Sequence, residues 1–219
     1  MAELEVLGTE QNRKIWGQHG VRGASFGVSY ANLYAIQKRI KQNHALALDL
    51  WETGNHDARV LATLVADPVE AEQGLPGWIA GVEDSVLGTA LTAYAAKSPD
   101  AARLALAWKD HEGEFHGQVA WGVLSSLALS DHVLPDETFG ALIGQIEREI
   151  HERKNRVRYS MLNVLIAIGS RGEPMKAQAL AAATRIGKVH VDHGATSCKT
   201  PNPLAEIEKT YARRRLKKA

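Results

Sequence analysis

Apolar residues recur at helical spacing along almost the whole chain, and the alternation that marks strands is nearly absent. The pattern is clearest over residues 43–68, NHALALDLWETGNHDARVLATLVADP. Leu46, Leu50 and Trp51 mark one face of a first short helix there, and Val60, Leu61, Leu64 and Val65 one face of a second. Gly54 can take the left-handed conformation that ends a helix, Asn55 can cap the next one, and Pro68 prevents the second from running on. Such a pair exposes more apolar surface than it can bury alone. It needs similar pairs stacked on either side, which predicts an all-α solenoid of stacked antiparallel helix pairs.

The same spacing predicts helices over residues 3–18, 30–42, 44–52, 56–66, 76–82, 85–97, 99–109, 114–129, 136–152, 156–168, 173–186 and 203–216. Ser98-Pro99-Asp100 reads as a helix start, a capping hydroxyl followed by proline at the first helical position. Leu50, Leu61, Leu64, Leu124, Leu127, Ile143 and Leu165 are expected between the stacked pairs, with Trp16, Trp51, Trp78 and Trp121 as packing residues. Residues 188–201, KVHVDHGATSCKTP, break the helical pattern with β-branched residues and turn formers, and suggest an ordered loop or a short extended piece. One helical domain over residues 1–219 is the expectation, with an irregular loop at 188–202 and a basic tail at 210–219.

At 219 residues and 45% hydrophobic, the chain can form one sizeable core without staples. Cys198 is the only cysteine, which rules out an intramolecular disulfide and suits a reducing compartment. The opening MAELEVLGTEQNRK has no signal-peptide core, and no run approaches the ~20 apolar residues of a membrane span. A soluble cytoplasmic protein with no membrane association is expected.

The net charge of +1 hides an asymmetry. Residues 141–219 carry 16 Lys and Arg against 7 Asp and Glu, whereas residues 1–140 carry 10 against 18. A basic end of this kind fits a polyanion, because each phosphate neutralised releases counterions. Part of the excess is the run Arg213, Arg214, Arg215, Lys217 and Lys218, which reads equally as a frayed solubilising terminus or as a DNA contact. The internal cluster Arg148, Arg153, Lys154, Arg156 and Arg158 precedes the apolar helix MLNVLIAI. Some of these side chains should therefore lie at a helix start, where free N–H groups also favour phosphate.

LWETGNHDARVLA resembles the "LW, small residue, H, acid, x, R, x, LA" hairpin of the DNA alkylation repair family of HEAT-like glycosylases, the AlkD type. Residues 22–28, RGASFGV, also resemble that family's aromatic-Gly-Val entry, and the likeness runs from about residue 23 to about residue 169. It implies a HEAT-like solenoid whose concave side holds duplex DNA, a monomer needing no cofactor and no metal. The family has a Trp, an acid four residues later, an aromatic three residues after that and then an Arg. Here those places hold Trp108, Glu112, Phe115 and Gln118.

By that resemblance Trp108 and Glu112 are the catalytic pair and Arg158 contacts the DNA backbone, with Arg156, Lys154, Arg153, Arg148 and Gln118 on the same DNA-binding surface. The chemistry is coherent. A purine alkylated at N3 or N7 is cationic and leaves as a neutral base, so the sugar acquires oxocarbenium character that a carboxylate stabilises. An indole face four residues away on the same helical turn attracts the cation. Asp110 and Glu114, on other faces of that turn, are expected to be silent.

Two positions depart from the family pattern. Gln118 replaces an Arg, and 84–88, DSVLG, lacks the Trp and the last acid of the family's "WD, two residues, D" segment. Some relatives of this architecture bind DNA without excising bases. The implied function is therefore a glycosylase for N3- or N7-alkylated purines in double-stranded DNA. The alternatives are a non-catalytic protein for distorted or branched DNA and a protein-interaction scaffold. Without the resemblance, Trp108 reads as core and Asp110, Glu112 and Glu114 as a solvated turn, while Arg158 reads as a surface partner of Glu149 or Glu152. His190, Asp192, His193 and Cys198 fit no common zinc spacing and read as a hydrogen-bonded loop. His111 and His116 flank the candidate site without a decided role.

Overall fold

A computed structural model describes residues 1–130 and 134–218, with the side chains of Lys217 and Lys218 outside the description. Among the described residues the regular structure is helical throughout, and no helix is long and apolar enough to cross a membrane. The chain forms two compact units, residues 1–101 with 193–197, and residues 102–192 with 198–219.

The first unit contains α1 (Ala2–Leu7), α2 (Glu10–Gln18), α3 (Tyr30–Ile40), α4 (His44–Glu52), α5 (His56–Val65), a 3₁₀ turn (Pro68–Glu70), α6 (Ala71–Ala80) and α7 (Ser85–Ala95). The α4–α5 hairpin forms as expected. Gly54 has φ of +69°, the Asn55 side chain accepts from the Ala58 N–H at 3.2 Å, and α5 packs against α3, α4 and α7. Leu50 and Leu61 are buried, but Leu64, in the last turn of α5, is only partly covered. Trp51 and Trp78 stack with centroids 4.5 Å apart, and Tyr94 closes the row with its hydroxyl donating to the Asp67 carbonyl.

The polar residues of the hairpin hold successive elements together. The buried Asp57 carboxylate accepts from the Ser25 hydroxyl and from the backbone N–H of Phe26, Gly27 and Val28, fixing the extended segment before α3. Arg59 donates to the Trp51 carbonyl at the end of α4 and to the Gly81 carbonyl at the end of α6. His56 faces Asp84 at 3.2 Å, and Asp84 caps α7 through the Val86 and Leu87 N–H groups. Every buried donor or acceptor that is satisfied in this way avoids a desolvation cost of ~1–3 kcal/mol.

Two helix predictions are corrected. Residues 3–18 form two helices, because the backbone of the 25–28 segment lies against Gly8. A Cβ there would fall 2.2 Å from the Phe26 carbonyl oxygen, and the Thr9 N–H donates to the Gly27 carbonyl instead of continuing a helix. The helix expected over 76–82 starts at Ala71 and runs through Pro76. One ladder bond is missing at the proline, but Ala71, Leu75, Trp78 and Ile79 are buried along the helix and hold it.

The second unit contains α8 (Ala101–Trp108) apart from its first residue, α9 (Glu114–Leu129), α10 (Asp136–Glu149), α11 (Asn155–Gly169), α12 (Glu173–Ile186) and α13 (Pro203–Lys218). Helix α11 is central and packs on α9, α10, α12 and α13. It approaches α9 closely because Gly117 faces Val157, where a Cβ would come to 2.7 Å. Leu124, Leu127, Ile143 and Leu165 are buried. The basic run Arg213–Arg215 is helical, within α13, and Arg214 donates to the Ala128 carbonyl. Between α12 and α13 the chain is irregular, pinned where the Asn155 amide pairs with both backbone groups of Asp192.

A candidate nucleic-acid interface in the second unit

Helix α8 ends at Trp108 and α9 begins at Glu114, so residues 109–113 turn rather than continue a helix. The His111 side chain accepts the Gly113 N–H at 2.8 Å, a local bond that competes with the helical ladder. Trp108 and Glu112 are therefore not one turn apart on a single helix. Trp108 is half-buried at the end of α8 with its ring 5.4 Å from His116, and Glu112 is exposed in the turn.

The turn is tied down by a network that the sequence did not announce. The Lys109 carbonyl accepts from the Trp121 indole at 3.0 Å and from Arg153 at 2.6 Å. Arg153 also donates to Glu149 at 3.1 Å, and Gln145 bridges Lys109, Asp110 and Glu149. Burial alone would raise the Asp110 carboxyl pKa, yet hydrogen bonds from Lys109 and Gln145, with Arg153 nearby, leave it below the ordinary carboxylate range. Asp110 is thus a structural anchor.

Glu114 is one as well, since its carboxylate accepts the Arg156 N–H at 2.7 Å and caps α11. The free N–H groups expected to favour phosphate at this helix start are in part already satisfied by that carboxylate.

Between this turn and the start of α11 lies a cleft of about 220 Å³, bordered by Asp110, His111, Glu112, Glu152, Arg153 and Lys154 and floored by Val157. The structure thus brings Glu112 together with Arg153 and Lys154. Trp108 does not line the cleft. Arg148 is exposed in the last turn of α10, and Arg156 and Arg158 are half-buried in the first turn of α11. Arg153 is only 18% exposed and spends its donors inside the unit. The Arg158 guanidinium has its Nε buried without a hydrogen-bond partner, and among the described residues it pairs with neither Glu149 nor Glu152. Gln118 is 7% exposed within α9, where its backbone carbonyl accepts from the Ser160 hydroxyl.

His111 and His116, five residues apart around a glycine, stack with centroids 3.8 Å apart. Their spacing gave no helical or metal signature, which is why sequence reasoning left them undecided. In the 188–202 loop, His190, Asp192, His193 and Cys198 form no metal-holding group, and among the described residues no group of three His, Cys, Asp or Glu is arranged to hold a metal ion.

Stacked helix pairs define a class, the HEAT-like helical-repeat proteins. Within it, the chain belongs to the DNA alkylation repair enzyme family, whose model matches residues 1–205. It is similar to the protein Lin0241 of Listeria innocua, 32% identical over 96% of this chain and 95% of that one. The protein Lmo0209 of Listeria monocytogenes is 30% identical over the same shares. A solved structure matches with a TM-score of 0.89 and 28% identity, covering 99% of this chain and 94% of the other. It is described as one of a new family of proteins related to the HEAT-like repeat DNA glycosylases with affinity for branched DNA structures.

Proposed function

We propose that this protein binds branched DNA as a non-excising member of its family, with the cleft at the α11 start and the cations around it as the contact surface. The observation that carries this is that the end of α10 and the start of α11 present Arg148, Lys154, Arg156 and Arg158, Lys154 at the cleft beside Glu112, while Trp108 and Glu112 do not share a helical face. An indole and a carboxylate on different elements lose the joint geometry that stabilising an oxocarbenium ion requires. The similarity to a protein with affinity for branched DNA supports the same reading. On this reading the chain acts as a monomer.

Fluorescence anisotropy with a four-way junction and a linear duplex of equal length tests it. Tighter binding of the junction, with a log-linear loss in salt, is expected. Equal affinity for both would sink the preference for branches.

A second reading is kept by one observation: the Glu112 carboxylate is exposed at the rim of the cleft. A glycosylase for cationic N3- or N7-alkylated purines would place it beside the scissile bond. Release of 7-methylguanine from alkylated duplex, slowed ~10²-fold or more by Glu112→Gln, would establish that reading in place of the first.

A further inference from the structure

One ring of a stacked histidine pair, His111, borders the α11 cleft, and neither phosphate binding nor base excision uses that pair. His111 and His116 lie 3.8 Å apart with planes 13° from parallel, and His116 meets Trp108 at 5.4 Å. The His111 ring is held by the Gly113 N–H on Nδ1, which leaves its proton on Nε2. Burial first, and His111 second, lower the His116 pKa, which favours the uncharged ring. One face of His111 is covered by His116, while the residue is exposed and lines the cleft.

The remaining cleft groups divide in two. Asp110 and Arg153 are consumed by their neighbours. Glu112, Glu152 and Lys154 have no side-chain hydrogen bond or ion pair among the described residues. The volume, about 220 Å³, is below the roughly 300–1,000 Å³ of pockets for drug-sized ligands, and it suits a single flat ring system.

We propose that this cleft captures one unpaired guanine at a DNA branch. The base lies over His111, its Watson–Crick edge donates to a carboxylate of Glu112 or Glu152, and Lys154 holds the adjoining phosphate. Stacking accepts any base, because every base has a π-face. Selectivity comes from the carboxylates, which only accept hydrogen bonds. Guanine alone offers two adjacent donors on that edge, N1–H and N2–H. Thymine flanks its single N–H with carbonyl oxygens, which a carboxylate repels, and adenine and cytosine set one amino group beside an acceptor. The inference rests on the DNA-binding proposal and adds which feature of a branch is read.

The experiment uses the full chain and three-way junctions that differ only at the branch point, with no unpaired nucleotide, one guanine or one thymine. The guanine junction should bind roughly tenfold more tightly than the other two. A 2-aminopurine at that position should lose fluorescence on binding. His111→Ala should bring the guanine preference close to one, while His111→Phe retains the quenching. Glu112→Gln with Glu152→Gln should keep the quenching and lose the discrimination of guanine from thymine. Equal affinity of the unaltered protein for all three junctions overturns the inference and leaves the DNA-binding proposal standing. A His111→Ala variant with full preference also overturns it, and failure to bind any junction overturns both.

Discussion

Single side chains here act mostly by satisfying neighbours. Asp57 accepts four donors while buried, and Asp57→Asn would set an amide N–H₂ against the Val28 N–H on one side or the Phe26 and Gly27 N–H groups on the other. A loss of roughly 3 kcal/mol is expected in urea titrations, since hydrogen bonds to charged groups contribute ~1.5–3 kcal/mol. Asp84 adds a pH dependence. Burial would raise its carboxyl pKa, but His56 and the Val86 and Leu87 N–H groups outweigh this and leave it below the ordinary range. A carboxylate whose folded pKa lies below its unfolded value contributes stability that is complete above the unfolded pKa, ~3.9. That contribution disappears as pH falls through the folded value. Asp84→Asn should therefore be less stable than the unaltered protein at neutral pH, and the gap should narrow on acidification below about pH 4. Lys41 offers the opposite case. Among the described residues it is the non-glycine with positive φ, at +64° with ψ of −132°, where the end of α12 uses Gly187 at +69° and −146°. Relief of that strain, less the entropy cost of glycine, should make Lys41→Gly more stable by ~1 kcal/mol in thermal melts.

At the scale of elements, the approach of α9 to α11 depends on Gly117. Its Cβ-equivalent position is 2.7 Å from the buried, branched side chain of Val157, so Gly117→Ala should cost ~1–3 kcal/mol through overpacking. Asp110 and Glu114, expected to be silent in base excision, have a structural role around the 109–113 turn. Both hold α11 or its approach in place. Glu114→Gln should speed hydrogen exchange at the Arg156 amide, and an unchanged exchange rate would show that the cap does not matter. Leu64, partly covered at the end of α5, should lose less on truncation to Ala than the fully buried Leu124, for which ~2–5 kcal/mol is expected.

For the molecule as a whole, the charge asymmetry coincides with the two units. Residues 1–101 with 193–197 hold 8 Lys and Arg against 12 Asp and Glu, and the remainder 18 against 13, giving −4 and +5. On the proposed reading, polyanion binding belongs to the second unit. Replacing Arg148, Lys154, Arg156 and Arg158 by Gln should weaken DNA binding and flatten the log-salt slope by about 0.9 for each phosphate that is no longer neutralised. Arg153 is left out because its removal would release the 109–113 turn. Unchanged binding by the quadruple variant would place the interface on another surface.

The repeat spacing of apolar residues, the cap at Asn55 and the turn at Gly54 were legible in the sequence. They express interactions within a few residues, where periodicity and local hydrogen bonding decide. The likeness of LWETGNHDARVLA to its family was legible too, and it includes Asp57 and Arg59, whose side chains hold neighbouring elements together. Which groups those two side chains meet required the fold. Asp57 reaches residues about 30 positions away, Gly8 meets Phe26, and Arg153 reaches the Lys109 carbonyl. The separation of Trp108 from Glu112 followed the same rule. Four residues imply a shared face only if the helix continues, and the Gly113 N–H bonded to His111, with Trp121 and Arg153 holding the turn, ends it there. Short-range periodicity and capping determined the elements, and long-range backbone contacts decided where they stop and which side chains meet.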